Sequence, residues 1–94
     1  MTTTVVNIRR DEYDVYIGRS NGRRRLKQSF WANPYLIGKD GTREEVIAKY
    51  RELVLATPAM LERLPEVKGK RLGCWCAPAP CHGSVLAELA EAAP

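Results

Sequence analysis

Two short runs near the start of the chain have the composition of strands. Thr4-Val5-Val6-Asn7-Ile8 is mostly β-branched, and Tyr13-Asp14-Val15-Tyr16-Ile17 alternates apolar and polar positions, a pattern that suits a half-buried strand closed by Gly18. The charged stretch from Arg9 to Glu12 connects them, and its length permits a hairpin. From 19 to 39 the periodicity lapses, while Asn21-Gly22, Asn33-Pro34 and Gly38 mark turns. A loop of about 20 residues is long for a small domain and points to a functional segment. Phe30, Trp31, Tyr35 and Ile37 give it more apolar surface than disordered chains carry, so it is expected to be ordered.

Helical signals follow. Thr42-Arg43-Glu44-Glu45 is a capping box, in which the threonine hydroxyl accepts from the third helical amide and the glutamate reaches back to the cap. Val46, Ile47, Tyr50, Leu53 and Val54 then fall on one face, which predicts a helix over about 42–56 docked on a sheet. Thr57-Pro58 is an N-cap followed by proline at the first helical position, giving a short helix over 58–64 that stops before Pro65. The run from 70 to 76 is apolar at nearly every position after Arg71 and reads as a buried strand. Pro78 and Pro80 bar regular structure, and Val85, Leu86 and Leu89 mark a final amphipathic helix over about 82–91. The order predicts an α/β fold: one small domain, residues 1–94, with a short central sheet and packing helices.

Composition narrows the class only modestly. At 45% hydrophobic and 28% charged the chain looks like an ordinary globular protein, and no apolar stretch approaches the ~20 residues that span a bilayer. The first residues lack a basic region followed by an apolar core, so no signal peptide is expected, and the predicted location is cytoplasmic with no membrane partner. The net charge of +4 is unevenly placed: Arg19, Arg23, Arg24, Arg25 and Lys27 fall within nine residues, with Trp31 and Tyr35 shortly after. That pattern is compatible with phosphate contacts beside an aromatic platform, or with a solvated basic loop.

Candidate chemistry is concentrated in Cys74-Trp75-Cys76-Ala77-Pro78-Ala79-Pro80-Cys81-His82-Gly83, which holds every cysteine and the only histidine. An odd number of cysteines without a secretion signal points to reduced thiols. Structural zinc sites join two separate ligand pairs, whereas these four groups come from one short stretch, so neither a metal nor another cofactor is expected. Cys81 at a helix start is a candidate nucleophile, because the amides and dipole there favour a thiolate, with His82 as general base or donor. A third reading makes the strand end and helix start a ligand cradle, since open α/β sheets bind ligands beyond the carboxyl ends of their strands. Cys74 reads best as a small buried hydrophobe.

The blocks Val15-Tyr16-Ile17-Gly18-Arg19, Trp31-Ala32-Asn33-Pro34-Tyr35, Gly41-Thr42-Arg43-Glu44-Glu45 and Gly69 to Cys76 with Cys81-His82-Gly83 together resemble an uncharacterised family, a domain of unknown function found in actinobacteria, their phages and other bacteria. In that family the second block usually reads Trp-Gly-Asn-Pro-Phe, so Ala32 and Tyr35 are departures. The last block is also similar to the end of another uncharacterised bacterial family in which the helix opens Cys-His-Arg, where this chain has Gly83. The resemblance implies a phage or phage-derived accessory protein and supplies no activity.

The resulting expectation is a pocket that joins Arg19, Trp31 and Asn33 to Cys76, Cys81, His82 and Gly83. Arg19 would meet a phosphate, Trp31 would stack a base, and the helix start would complete a site for a nucleotide or nucleic acid. Two other classes stay open: a small enzyme that uses Cys81 and His82 on a nucleotide or nucleobase, and a noncatalytic inhibitor or toxin that binds a host protein.

Overall fold

Residues 2–93 are described by a computed structural model whose three short strands lie parallel in one sheet. In chain order the elements are β1 (Thr4–Asn7), β2 (Val15–Tyr16), α1 (Arg43–Ala56), α2 (Pro58–Arg63), a 3-10 turn (Leu64–Glu66), β3 (Arg71–Cys74) and α3 (His82–Ala92). The α/β class is therefore correct. The hairpin is not: β3 lies between β1 and β2 and is parallel to both, with Val5 and Val15 each level with Leu72.

Residue size explains how two consecutive strands come to flank a third. The 8–14 connection must cross the face of β3, and it does so at Gly73, where an added Cβ would sit 2.6 Å from Ile8 Cγ2 and 2.7 Å from Tyr13 Cγ. Only a residue without a side chain admits the chain there. Backbone bonds complete the crossing, from Ile8 N–H to the Cys74 carbonyl (3.1 Å) and from Asp14 N–H to the Arg71 carbonyl (2.9 Å). Because side chains alternate along a strand, Leu72 and Cys74 point to the opposite face, into the core beneath the helices.

The helices begin much as the sequence predicts. Both halves of the capping box form at Thr42 and Glu45, and α1 buries Val46, Tyr50 and Val54. Pro65 shapes the short helix differently from expectation: the chain tightens into the 3-10 turn, which tolerates proline in its first positions, and does not stop. Strand β3 ends at Cys74, two residues before the predicted limit, because Asn7 Nδ2 draws the Trp75 and Ala77 carbonyls (3.2 and 2.9 Å) out of line with the ladder. Helix α3 packs against β1 and α1, and its Gly83 rests directly on the sheet, where a Cβ would meet Ile17 Cδ1 at 2.8 Å and Val5 Cγ1 at 3.0 Å. The core joins Tyr50 to Ile17, Val54, Val67, Leu72 and Leu86, all fully buried; each of the aliphatic ones contributes about 1.5–3 kcal/mol. Among the described residues no helix is long and apolar enough to cross a membrane.

Candidate functional site

The carboxyl ends of β2 and β3 and the first turn of α3 meet at a cleft of about 210 Å³, lined by Gly18, Arg19, Ser20, Asn33, Cys74, Trp75, Cys76 and His82. A smaller hollow of about 110 Å³ adjoins it across Asn33, Cys76 and His82 and is also bordered by Tyr35, Arg43, Pro80 and Cys81. The 19–41 loop supplies one wall although almost none of it is in a ladder. It is held by side chains reaching backbone: Arg19 Nε and Nη2 donate to the Asn33 carbonyl (3.2 and 2.7 Å) and Nη2 also to that of Tyr35 (3.1 Å). Asn33 Oδ1 accepts from Tyr35 N–H (2.9 Å), and its amide donates to the Val46 carbonyl of α1 (3.4 Å).

His82 has a defined state. Its Nε2 lies 2.7 Å from the Ile17 carbonyl, which can only accept, so Nε2 carries the proton and Nδ1 keeps a lone pair. Burial, with a smaller contribution from the Arg19 charge, outweighs that hydrogen bond and lowers the imidazole pKa below its ordinary value, so the ring is neutral near pH 7. Its edge rests on Tyr50, with ring centroids 4.9 Å apart at 73°. Burial raises the Tyr50 phenol, which stays protonated and donates to the Trp31 carbonyl at 2.7 Å.

The thiols divide into a pair and a single. Cys74 and Cys81, only 2% and 5% exposed, place their sulfurs 3.4 Å apart, while Cys76 is half-buried and faces the cleft. Cys81 is the N-cap of α3, its Sγ accepting from Gly83 N–H at 3.3 Å. The same sulfur meets Cys74, and either thiol of the pair can donate. That hydrogen bond, aided by the Ala77 and Cys76 amides and opposed by burial, lowers Cys74 to about 6. The same bond, with burial, raises Cys81, so that the pair loses one proton readily and holds the other.

The described residues 3–92 match the model of a family described as "Domain of unknown function (DUF4326)". The chain belongs to this family. Relatives are viral: "Uncharacterized protein R718" of Acanthamoeba polyphaga mimivirus is 37% identical over 86 residues, covering 81% of this chain and 65% of that protein. The "Uncharacterized 12.4 kDa protein in nrdA-td intergenic region" of Enterobacteria phage T4 is 37% identical over 93 residues, covering 90% of this chain and 74% of its own length. The chain thus spans just under two thirds of the mimivirus relative. No solved structure matches.

In this DUF4326 chain the structure brings Arg19, Asn33, Cys76 and His82 to one cleft, while Trp31, Cys81 and Gly83 are buried beside it. Trp31 is 3% exposed, packed edge-on against Phe30, and has no free face for a base. Gly83 is buried against the sheet and serves packing. Cys81 is only 5% exposed and borders the smaller hollow, with its sulfur against that of Cys74. Among the described residues no three His, Cys, Asp or Glu side chains are placed to hold a metal ion.

The aromatic residue at the cleft is Trp75. Its Nε1 donates to Tyr16 Oη (2.9 Å), whose hydroxyl in turn donates to the Arg19 carbonyl, and the guanidinium carbons of Arg9 and Arg24 lie 5.2 and 5.3 Å from its ring. Trp75 lies in a run that reads as buried strand, which conceals its role. The signal that could reveal it is Asn7, a polar residue ending β1, whose amide turns the chain out of the sheet at that point.

Proposed function

We propose that this domain binds a nucleotide unit, free or within a nucleic acid, in the cleft between β2, β3 and the start of α3. The observation that carries the proposal is the meeting of Arg19, Asn33, Trp75 and His82 around one hollow beyond the carboxyl ends of parallel strands, where ligands of α/β sheets bind. Arg19 commits Nε and Nη2 to loop carbonyls and leaves both hydrogens of Nη1 for a phosphate. The His82 Nδ1 lone pair accepts from a base N–H, and Trp75 offers apolar surface at the mouth. Relatives encoded by a bacteriophage and a mimivirus are consistent with an accessory protein of viral origin. Catalysis is not part of the proposal.

Titration of nucleoside mono-, di- and triphosphates and short single strands at low salt tests it. Arg19→Ala removes a charge-assisted contact worth about 1.5–3 kcal/mol, so affinity is expected to fall roughly 10- to 150-fold. His82→Ala is expected to weaken binding and change base preference. Absence of binding across the panel, or equal binding by both variants with unchanged melting temperatures, refutes it.

A further inference from the structure

We infer that the ligand is a single-stranded polynucleotide, one unit of which enters the cleft while the flanking phosphates lie along a basic turn beside Trp75. The inference rests on the nucleotide reading above and narrows it to a strand. It begins from size. At about 210 Å³, and even with the adjoining hollow of about 110 Å³, the cleft reaches only the lower end of the ~300–1,000 Å³ of pockets that enclose a small molecule, so little more than one ring or phosphate fits and the remainder must lie on the surface outside.

That outside surface is cationic and built. The 19–28 segment carries five cations and no acidic residue. Paired backbone bonds between Asn21 and Leu26 (2.8 and 2.9 Å) close it into a tight turn, and Asn21 Oδ1 accepts from Arg24 N–H (3.2 Å). Arg23, Arg24 and Arg25 therefore stand exposed at the tip of a hydrogen-bonded turn. Arg24 leans over Trp75, the wall of the cleft, and Arg9 approaches the same ring from a different segment. Among the described residues none of these cations is ion-paired, whereas Arg51, Arg63 and Arg71 all have carboxylate partners. Arginine charge left unpaired around an aromatic ring suits a backbone of repeating phosphates with stackable bases. A duplex fits poorly, because a paired and stacked base cannot enter a blind hollow without leaving its helix.

Fluorescence anisotropy with a labelled single strand, the duplex of the same sequence, a labelled mononucleotide and inorganic polyphosphate, each across a salt series, decides the matter. The strand is expected to bind at least tenfold more tightly than the mononucleotide, the duplex or polyphosphate. Arg23→Ala/Arg25→Ala, which alters only exposed turn side chains, is expected to weaken strand binding about fivefold or more. It should also reduce the log–log salt slope by about 1.4, at about 0.7 for each single-strand phosphate that the two arginines no longer neutralise. Mononucleotide binding that is sensitive to His82→Ala, with no gain for the strand, overturns this inference and leaves the nucleotide reading standing. Duplex or polyphosphate binding as tight as the strand, or a salt slope unchanged in the double variant, also overturns it. Binding of no species defeats both.

Discussion

Tyr50→Phe removes one oxygen from the centre of the molecule and leaves the ring and its packing in place. The phenol is fully buried and donates to the Trp31 carbonyl at 2.7 Å, the link by which α1 holds the middle of the 19–41 loop. Deleting a donor without its acceptor leaves the carbonyl of a buried tryptophan without its partner, a cost of about 1–3 kcal/mol. The aromatic ring and its edge contact with His82 remain, so no cavity adds to that figure. For a domain of this size each kcal/mol shifts the melting temperature by about 4–8 °C. Thermal and urea melts give the destabilisation directly. Because the bond anchors a wall of the cleft, hydrogen exchange in 29–35 is expected to quicken more than in β3. A destabilisation under about 0.5 kcal/mol, or exchange that quickens equally everywhere, refutes the assignment of this bond as the loop's anchor.

Gly73→Ala drives a methyl group into Ile8 and the Tyr13 Cβ, and overpacking of this kind costs about 1–3 kcal/mol; a variant as stable as the parent contradicts the crossing of β3 by the 8–14 connection. In thiolate absorbance against pH, one thiol is expected to ionise near 6, and Cys81→Ala, which removes the hydrogen-bond partner, should move that transition up toward the ordinary 9.0; an unmoved transition contradicts the pairing. The lowered Cys74 value has a consequence for stability. Between about pH 6 and 9 the unfolded chain binds the proton the folded one has shed, so stability rises with pH there and is lost as pH falls through 6. The lowered His82 value acts in the same direction below about 6.5, and denaturant melts that are flat from about pH 5 to 8 count against both shifts.

Local signals carried the elements that local chemistry determines. The capping box at Thr42 and Glu45 and the apolar face through Val46, Tyr50 and Val54 are written in neighbouring residues, and α1 starts and buries itself as they dictate. Strand partnership is not local. Residues 4–8 and 13–17 would look the same in a hairpin, and the choice was made by Gly73, some sixty residues later, which opens the face of β3 to the connection. The two tryptophans illustrate the same limit. Trp31 sits in a polar, turn-rich loop yet is buried, because Tyr50 of α1 captures its carbonyl; Trp75 sits in an apolar run yet reaches the cleft, because Asn7 pulls the chain off the sheet. Gly83 likewise sits beside the chemically rich Cys81 and His82, but its role is set by Ile17 and Val5 beneath it.

The cleft is therefore made by polar side chains gripping backbone from a distance, and this affects how it responds to a ligand. Its sheet side is held by the parallel ladder and by core residues with no exposure, such as Ile17 and Leu72. Its loop side depends on Arg19, Asn33 and Tyr50, each spending a side chain on one or two carbonyls. Regions held by few buried contacts open at lower free energy than the core, so the 19–41 wall is the part with freedom to open or adjust. A phosphate on Arg19 Nη1 would act on the same guanidinium that fixes the Asn33 and Tyr35 carbonyls, so binding and loop ordering are linked through one side chain. A ligand at 100 times its Kd stabilises the folded state by about 2.7 kcal/mol, and exchange of loop amides should slow by up to the matching factor, because local opening of the 19–41 wall would release the ligand.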